Sequence, residues 1–176
     1  MTCEKTVYIK KLSNNILSFL TFGCDFNSEE ETSCSSSSSE VPTWVNINQG
    51  IWGCIEFWEG NFMPGTSKTT GTIKPVVCAI HVYSSTSTDD TTSVAGSSSF
   101  YEYIDSELVA ITYSDDDGLF QVELPAGQYS VFIGENEEFW ANIVQIKGSK
   151  MIINPVSVKE NTLTKHDVSI TYRAYF

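Results

Sequence analysis

Residues 113–135 read YSDDDGLFQVELPAGQYSVFIGE: three consecutive aspartates, a glycine, and then two runs in which apolar and polar residues alternate. In the first run Phe120, Val122 and Leu124 share one parity and Gln121 and Glu123 the other; in the second, Tyr129, Val131 and Ile133 share a parity. Successive side chains of a strand point to opposite faces, so both runs read as half-buried strands. Pro125-Ala126-Gly127 is the turn between them. Ahead of the first run, aspartates bond their own backbone in turns and Gly118 supplies a positive φ at no Cβ penalty. Calcium loops instead space their acids so that the oxygens converge, whereas adjacent side chains on an extended backbone point apart. Asp115, Asp116, Asp117 and Gly118 therefore read as turn-forming residues, and no metal is assigned to them.

The same texture extends outward. From Val41 the chain consists of short runs of Val, Ile, Tyr, Phe and Trp broken by Gly, Pro, Asn and Asp. Strands are expected near 50–58, 76–83, 107–113, 119–124, 128–134, 139–145, 152–158 and 165–174. No window shows apolar residues at helical spacing over three turns. Each strand offers one apolar face, which needs a second sheet to cover it. The expected class is all-β, an antiparallel β-sandwich of seven to eight strands filling residues 44–176. Gly60 to Lys74 reads as a long loop. Ser84 to Ser99, SSTSTDDTTSVAGSSS, reads as a mobile excursion at one end of the sandwich.

Composition bounds the function. The chain has 176 residues, a formal net charge of −12 and only 18% charged residues. That sign excludes a nucleic-acid surface, which needs Lys and Arg, and a basic face for anionic lipid. Five cysteines, Cys3, Cys24, Cys34, Cys54 and Cys78, are scattered without C-x-x-C spacing, and His81 and His166 are the only histidines. Neither a zinc site nor a disulfide framework is expected from that set, and no cofactor is implied.

Residues 1–23 carry Lys5, Lys10 and Lys11 ahead of an apolar stretch from Leu12 to Phe22. This is too short to span a bilayer and has the order of a secretory signal. Gly23 before Cys24 resembles a relaxed bacterial lipobox, although Thr21 and Phe22 stand where smaller or more aliphatic residues are usual. The resemblance implies cleavage before Cys24 and its acylation, a membrane anchor at the cell envelope, and an outer-membrane lipoprotein of the Bacteroidota type. Residues 24–43 include DFNSEEETSCSSSSSE, acidic and serine-rich with little to bury, and read as a flexible tether.

Beyond the tether, the succession GIWGCIEFWEGNFMPG, GTIKPVVCAIHVYSS, LVAITYSDDDGLFQVELPAGQYSVFI and INPVSVKENTLTKHDVSITYRAYF resembles a carboxypeptidase regulatory-like domain of the prealbumin (transthyretin-like, CnaB-like) sandwich superfamily. The match runs from Gly50 to Phe176 and is most specific over Ser114 to Val131. It implies that the acidic triplet with its glycine is a hairpin turn, and that the domain accompanies enzymes without carrying their chemistry. Some CnaB-type relatives form a Lys–Asn crosslink, but the first strand here has no lysine, so none is expected.

Candidates for chemistry are few. The two histidines read as exposed strand residues with no nucleophile motif beside them. Carboxylate pairs drawn from Glu56, Glu59 and Glu123 carry no signal without a cleft. Parity puts Cys54 outward and Cys78 inward, so two free thiols are expected. Trp52 and Trp58 fall on the outward parity and, with Phe62, form a possible platform for a glycan or a protein; the competing expectation is that the segment holding Trp44, or the 84–106 insertion, covers them. The chain thus reads as a non-catalytic accessory or recognition module at the envelope. The alternatives are a carbohydrate-binding module and a structural or adhesive subunit associating through edge strands.

Overall fold

The computed structural model describes residues 40–64 and 70–176. The expected signal segment, most of the expected tether, Cys24 and Cys34 lie outside the described residues. Fourteen strands run in order: β1 (Gly50–Asn61), β2 (Thr72–Pro75), β3 (Ala79–Ser84), β4 (Thr91–Ser93), β5 (Phe100–Ile104), β6 (Leu108–Tyr113), β7 (Leu119–Glu123), β8 (Gly127–Glu135), β9 (Glu138–Trp140), β10 (Val144–Lys147), β11 (Lys150–Ile153), β12 (Pro155–Val158), β13 (Leu163–Lys165) and β14 (Val168–Tyr175). No α-helix occurs among the described residues.

The first sheet is built on β1. Its N-terminal half pairs antiparallel with β7 on one edge and parallel with β13 on the other; its C-terminal half pairs with β2 and, in parallel, with β14. In the second sheet the order is β4-β5-β9-β8-β3-β6, with β12 sharing the edge of β8 taken by β9. The β10–β11 hairpin, turned at Gly148 with φ +65°, forms a two-stranded sheet of its own, and β11 is tied to the serine-rich segment by the Ile153 N–H, which donates to the Thr86 carbonyl at 3.0 Å. The sheets face each other across one core: Ile51 and Ile55 of β1 and Val168 and Ile170 of β14 meet Ile80, Val82, Val131 and Ile133 of the second sheet. Each such side chain contributes about 1.5–3 kcal/mol on burial. The all-β sandwich expected from alternation is what the chain forms, with β13 and β14 running parallel to β1.

Three expected strands are shorter than the sequence pattern suggests, each for a local reason. The 165–174 run breaks at His166-Asp167, where the chain crosses close to β1. His166 N–H donates to the Trp52 carbonyl at 2.8 Å, and the Asp167 carboxylate accepts the Cys54 N–H at 3.2 Å, replacing a strand rung by a side chain. A Cβ on Gly53 would lie 2.2 Å from the His166 carbonyl oxygen, so only glycine permits the crossing. The 152–158 run breaks at Asn154, buried with φ +35°, whose side chain accepts the Ile143 N–H at 2.8 Å and donates to the Val131 carbonyl at 3.1 Å. The 139–145 run divides into β9 and the start of the hairpin.

The two presumed loops are corrected more strongly. Thr72–Pro75 is a strand on β1. The serine-rich stretch is not a mobile excursion: it enters through Thr86, whose N–H donates to the buried Ser130 Oγ at 3.0 Å, forms a single 3-10 turn over Thr88–Asp90, and lays down β4, with β5 following. Small side chains pack tightly here, and hydroxyls take up backbone groups that would otherwise be buried unpaired. With β5 it brings Tyr101 and Ile104 over the outer face of the second sheet, where they join Tyr83, Phe132, Ala141 and Ile153 in a second core.

The bend after β6 shows how the aspartates act. Asp115 Oδ1 accepts the N–H groups of Asp117 (3.1 Å) and Leu119 (2.8 Å), and Gly118, at φ +76°, donates to the Asp115 carbonyl at 2.9 Å. Asp116 is exposed. Asp115→Ala is expected to lower stability by about 1–2 kcal/mol through its two lost bonds, and Asp116→Ala to change it by less than about 0.5 kcal/mol. Urea titration of both variants checks this ordering, and added calcium should move neither midpoint.

Candidate functional site

The residues proposed from sequence as an aromatic platform separate in the fold. Trp52 and Trp58 both lie on the outward face of β1, but six residues of strand place them about 20 Å apart. Trp52 is 4% exposed. Trp44 packs edge-on against it at 5.9 Å between ring centroids, and the Lys165 ammonium lies 5.6 Å from its centroid. Gln121 straps the covering segment down by accepting the Asn46 N–H at 2.9 Å. Trp52 is therefore a packing residue, and the platform loses it.

Trp58 and Phe62 do meet, and a third ring joins them. Their centroids are 5.1 Å apart; Phe176, just beyond β14, lies 5.8 Å from Phe62 and 6.3 Å from Trp58. The backbone explains the convergence. Phe62 N–H donates to the Tyr175 carbonyl at 2.8 Å, which fixes the exit of β1 beside the end of β14. Gly71 opens space for the Phe62 ring, since a Cβ there would lie 2.4 Å from it. Ile73 is the direct cross-strand neighbour of Trp58 and shares its face. Phe176 is 66% exposed, and Met63 and Ile73 are nearly half exposed. Alternation indicated Trp58, but Phe176 follows a bulge between β1 and β14, where the register shifts and simple parity fails.

One carboxylate touches these rings, and an ion pair lies over the neighbouring Phe57 and Tyr172. Trp58 Nε1–H donates to the Glu56 carboxylate at 3.3 Å, which holds the indole in one orientation. Arg173 pairs with Glu59 at 3.6 Å across an exposed surface and lies 5.9 Å from the Phe57 centroid. At the Trp58–Phe62–Phe176 cluster the arrangement offers apolar ring faces beside the Glu56 carboxylate acceptor. That combination suits a ligand with both CH-rich faces and polar edges.

Both histidines depart from the expected exposed positions. His81 sits on the outer face of β3, as parity requires, but Phe139 packs on it at 5.1 Å and its Nδ1 is buried without a partner. His166 lines a cavity of about 130 Å³ with Asn142, Ile143, Asn154 and Asp167, and its Nε2 is likewise buried without a partner. Burial holds both imidazoles below their ordinary value, in His166 against the smaller upward pull of the Asp167 carboxylate. Among the described residues no three His, Cys, Asp or Glu side chains gather as metal ligands.

The cysteines are also corrected. Cys54 is buried on the outward face and is disulfide-bonded, with its partner outside the described residues, while Cys78 is free. Burial pushes the Cys78 thiol up, against a hydrogen bond from Ser114. The chain matches no family model, no curated protein and no solved structure.

The histidine environments set a pH dependence. Because both folded values lie below the ordinary 6.5, the unfolded chain takes up protons first as the pH falls below that point. The stability present above it is then lost progressively toward the folded values, at up to about 1.4 kcal/mol per pH unit for each group. The urea midpoint should therefore be lower at about pH 5.5 than at about pH 7.5, and His166→Gln should reduce the difference. The Asp90 carboxyl, held down by Ser87, acts only at lower pH, below its ordinary 3.8.

Proposed function

We propose that this chain is a non-catalytic recognition module held at the bacterial cell envelope through an acylated Cys24, and that the Trp58–Phe62–Phe176 surface is where it meets its partner. The observation that carries the reading is the mutual contact of three rings at one end of the first sheet, with Phe176 exposed and Trp58 and Phe62 half-buried. Large apolar side chains grouped on a surface mark interaction sites more often than chance exposure. The resemblance to carboxypeptidase regulatory-like domains supports an accessory role. The Cys54 disulfide supports an oxidising compartment.

A glycan is the partner class that the surroundings favour within this reading. The indole presents a flat face, and the Glu56 carboxylate that fixes it is an acceptor beside it for hydroxyl groups. A glycan array probed with the folded domain should show binding that Trp58→Ala and Phe62→Ala reduce by about tenfold or more, consistent with the loss of a stacking contact. Binding insensitive to both substitutions would remove the surface from consideration.

The anchor makes a separate chemical demand. Acylation consumes the Cys24 thiol and signal cleavage removes Cys3, so Cys34 is the cysteine left to pair with Cys54. Labelled palmitate should enter the wild-type chain and not Cys24→Ala. Peptide mapping without reduction should recover Cys34 joined to Cys54; a bond from Cys24 to Cys54 would contradict the lipid anchor.

A further inference from the structure

We infer that the free edge of β6 is a docking site for an extended protein segment, one whose alternating apolar residues are flanked by lysine or arginine. The inference concerns the second sheet and is independent of the aromatic surface on the first. Among the described residues β6 has one ladder partner, β3, and ends the sheet; β7 of the first sheet meets it through the Thr112 hydroxyl, which donates to the Gln121 carbonyl at 3.2 Å. Its sequence, LVAITY, carries no charge and no proline, two of the devices by which exposed edges are blunted, and its one irregularity against β3 lies opposite Val82/Tyr83, N-terminal to Ile111 and Tyr113.

The ladder fixes which groups face outward. Ser114 N–H donates to the Cys78 carbonyl, which makes that pair a hydrogen-bonded one. Antiparallel pairs alternate, so Thr112 and Ala110 direct their backbone groups to β3, and those of Ile111 and Tyr113 point away from the sheet. The side chains beside that edge are open as well: Ile111 is 47% exposed and Tyr113 67%, with Leu108 and Val109 also exposed. The second core that covers Phe132 and Tyr83 stops short of this strand. An added strand would gain backbone bonds at Ile111 and Tyr113, and its own alternate side chains would lie beside theirs.

Charge selects the occupant. Exposed Asp105 and Glu107 precede β6, and exposed Asp115 and Asp116 follow it. A second copy paired antiparallel about Ile111 would bring Glu107 opposite Asp115, and like charges directly opposite destabilise a pair. Anionic lipid is disfavoured for the same reason, in a chain of net charge −12. A segment with an apolar centre and basic ends satisfies both the edge and its flanks.

The test uses two synthetic peptides of alternating valine and threonine, one flanked by lysines and the other by glutamates, titrated against the full chain. The lysine-flanked peptide should bind, with slowed hydrogen exchange at the Ile111 and Tyr113 amides, and the glutamate-flanked peptide should bind at least about tenfold more weakly. Raising salt from about 0.02 M to about 0.3 M should narrow that gap. Ile111→Lys, at an exposed position, and Glu107→Lys should each weaken the lysine-flanked peptide while leaving the melting temperature in place. Equal binding of both peptides, protection confined to other strands, loss of exposure at β6 through self-association in light scattering, or β6-dependent binding to anionic phosphatidylserine vesicles would each overturn the inference.

Discussion

A single strand, β1, carries backbone hydrogen bonds to four others, two along each edge. That sharing is possible because β1 is twelve residues long and because Gly53, in its N-terminal half, lets the chain at His166-Asp167 approach within bonding distance. The ladder therefore ties residue 50 to residue 163 and residue 61 to residue 175 in one piece. Its inward residues Ile51, Ile55 and Phe57 join Phe120 of β7 and Val168 and Ile170 of β14 in the first sheet's share of the core. The open aromatic surface is a consequence of the same strand: Trp58 stands near its end, and the strands on either side bring Ile73 and Phe176 to it.

The second sheet is organised by burial on both faces of β8. Tyr129, Val131 and Ile133 face β1, while Ser130 and Phe132 face the layer built from β5, β11 and the serine-rich segment. Covering the outer face of β8 and β3 in this way leaves β6 as the uncovered margin. The two surfaces singled out, the ring cluster and the β6 edge, thus lie where the two networks end, on different sheets.

Much of the sandwich was legible because half-buried strands alternate, as in Phe120/Val122/Leu124 and Val168/Ile170. The acidic bend was legible from the turn chemistry of Asp and Gly. What was not legible arose where side chains replace backbone partners. Asp167 and Asn154 break strands by bonding neighbouring backbone, and nothing in a period-two pattern marks them. The serine-rich stretch has the composition of a linker, yet its hydroxyls satisfy a close-packed layer; Phe100 and Tyr101 just after it, and Phe132 on the nominally polar parity of β8, were the available signals. Trp52 lies outward yet is not exposed, because Trp44 covers it as the competing expectation had it. Phe176 was missed because the bulge opposite Trp58 shifts the register.

Native-state hydrogen exchange tests the role of β1 most directly. If one strand holds both halves of the first sheet, the amides of Ile51 and Ile55 should exchange only through global unfolding, with the same opening free energy as those of Val131 and Ile133 in β8. Exchange from either half of β1 at the rate of the separate β10–β11 hairpin would contradict the account, since it would show the two halves opening independently.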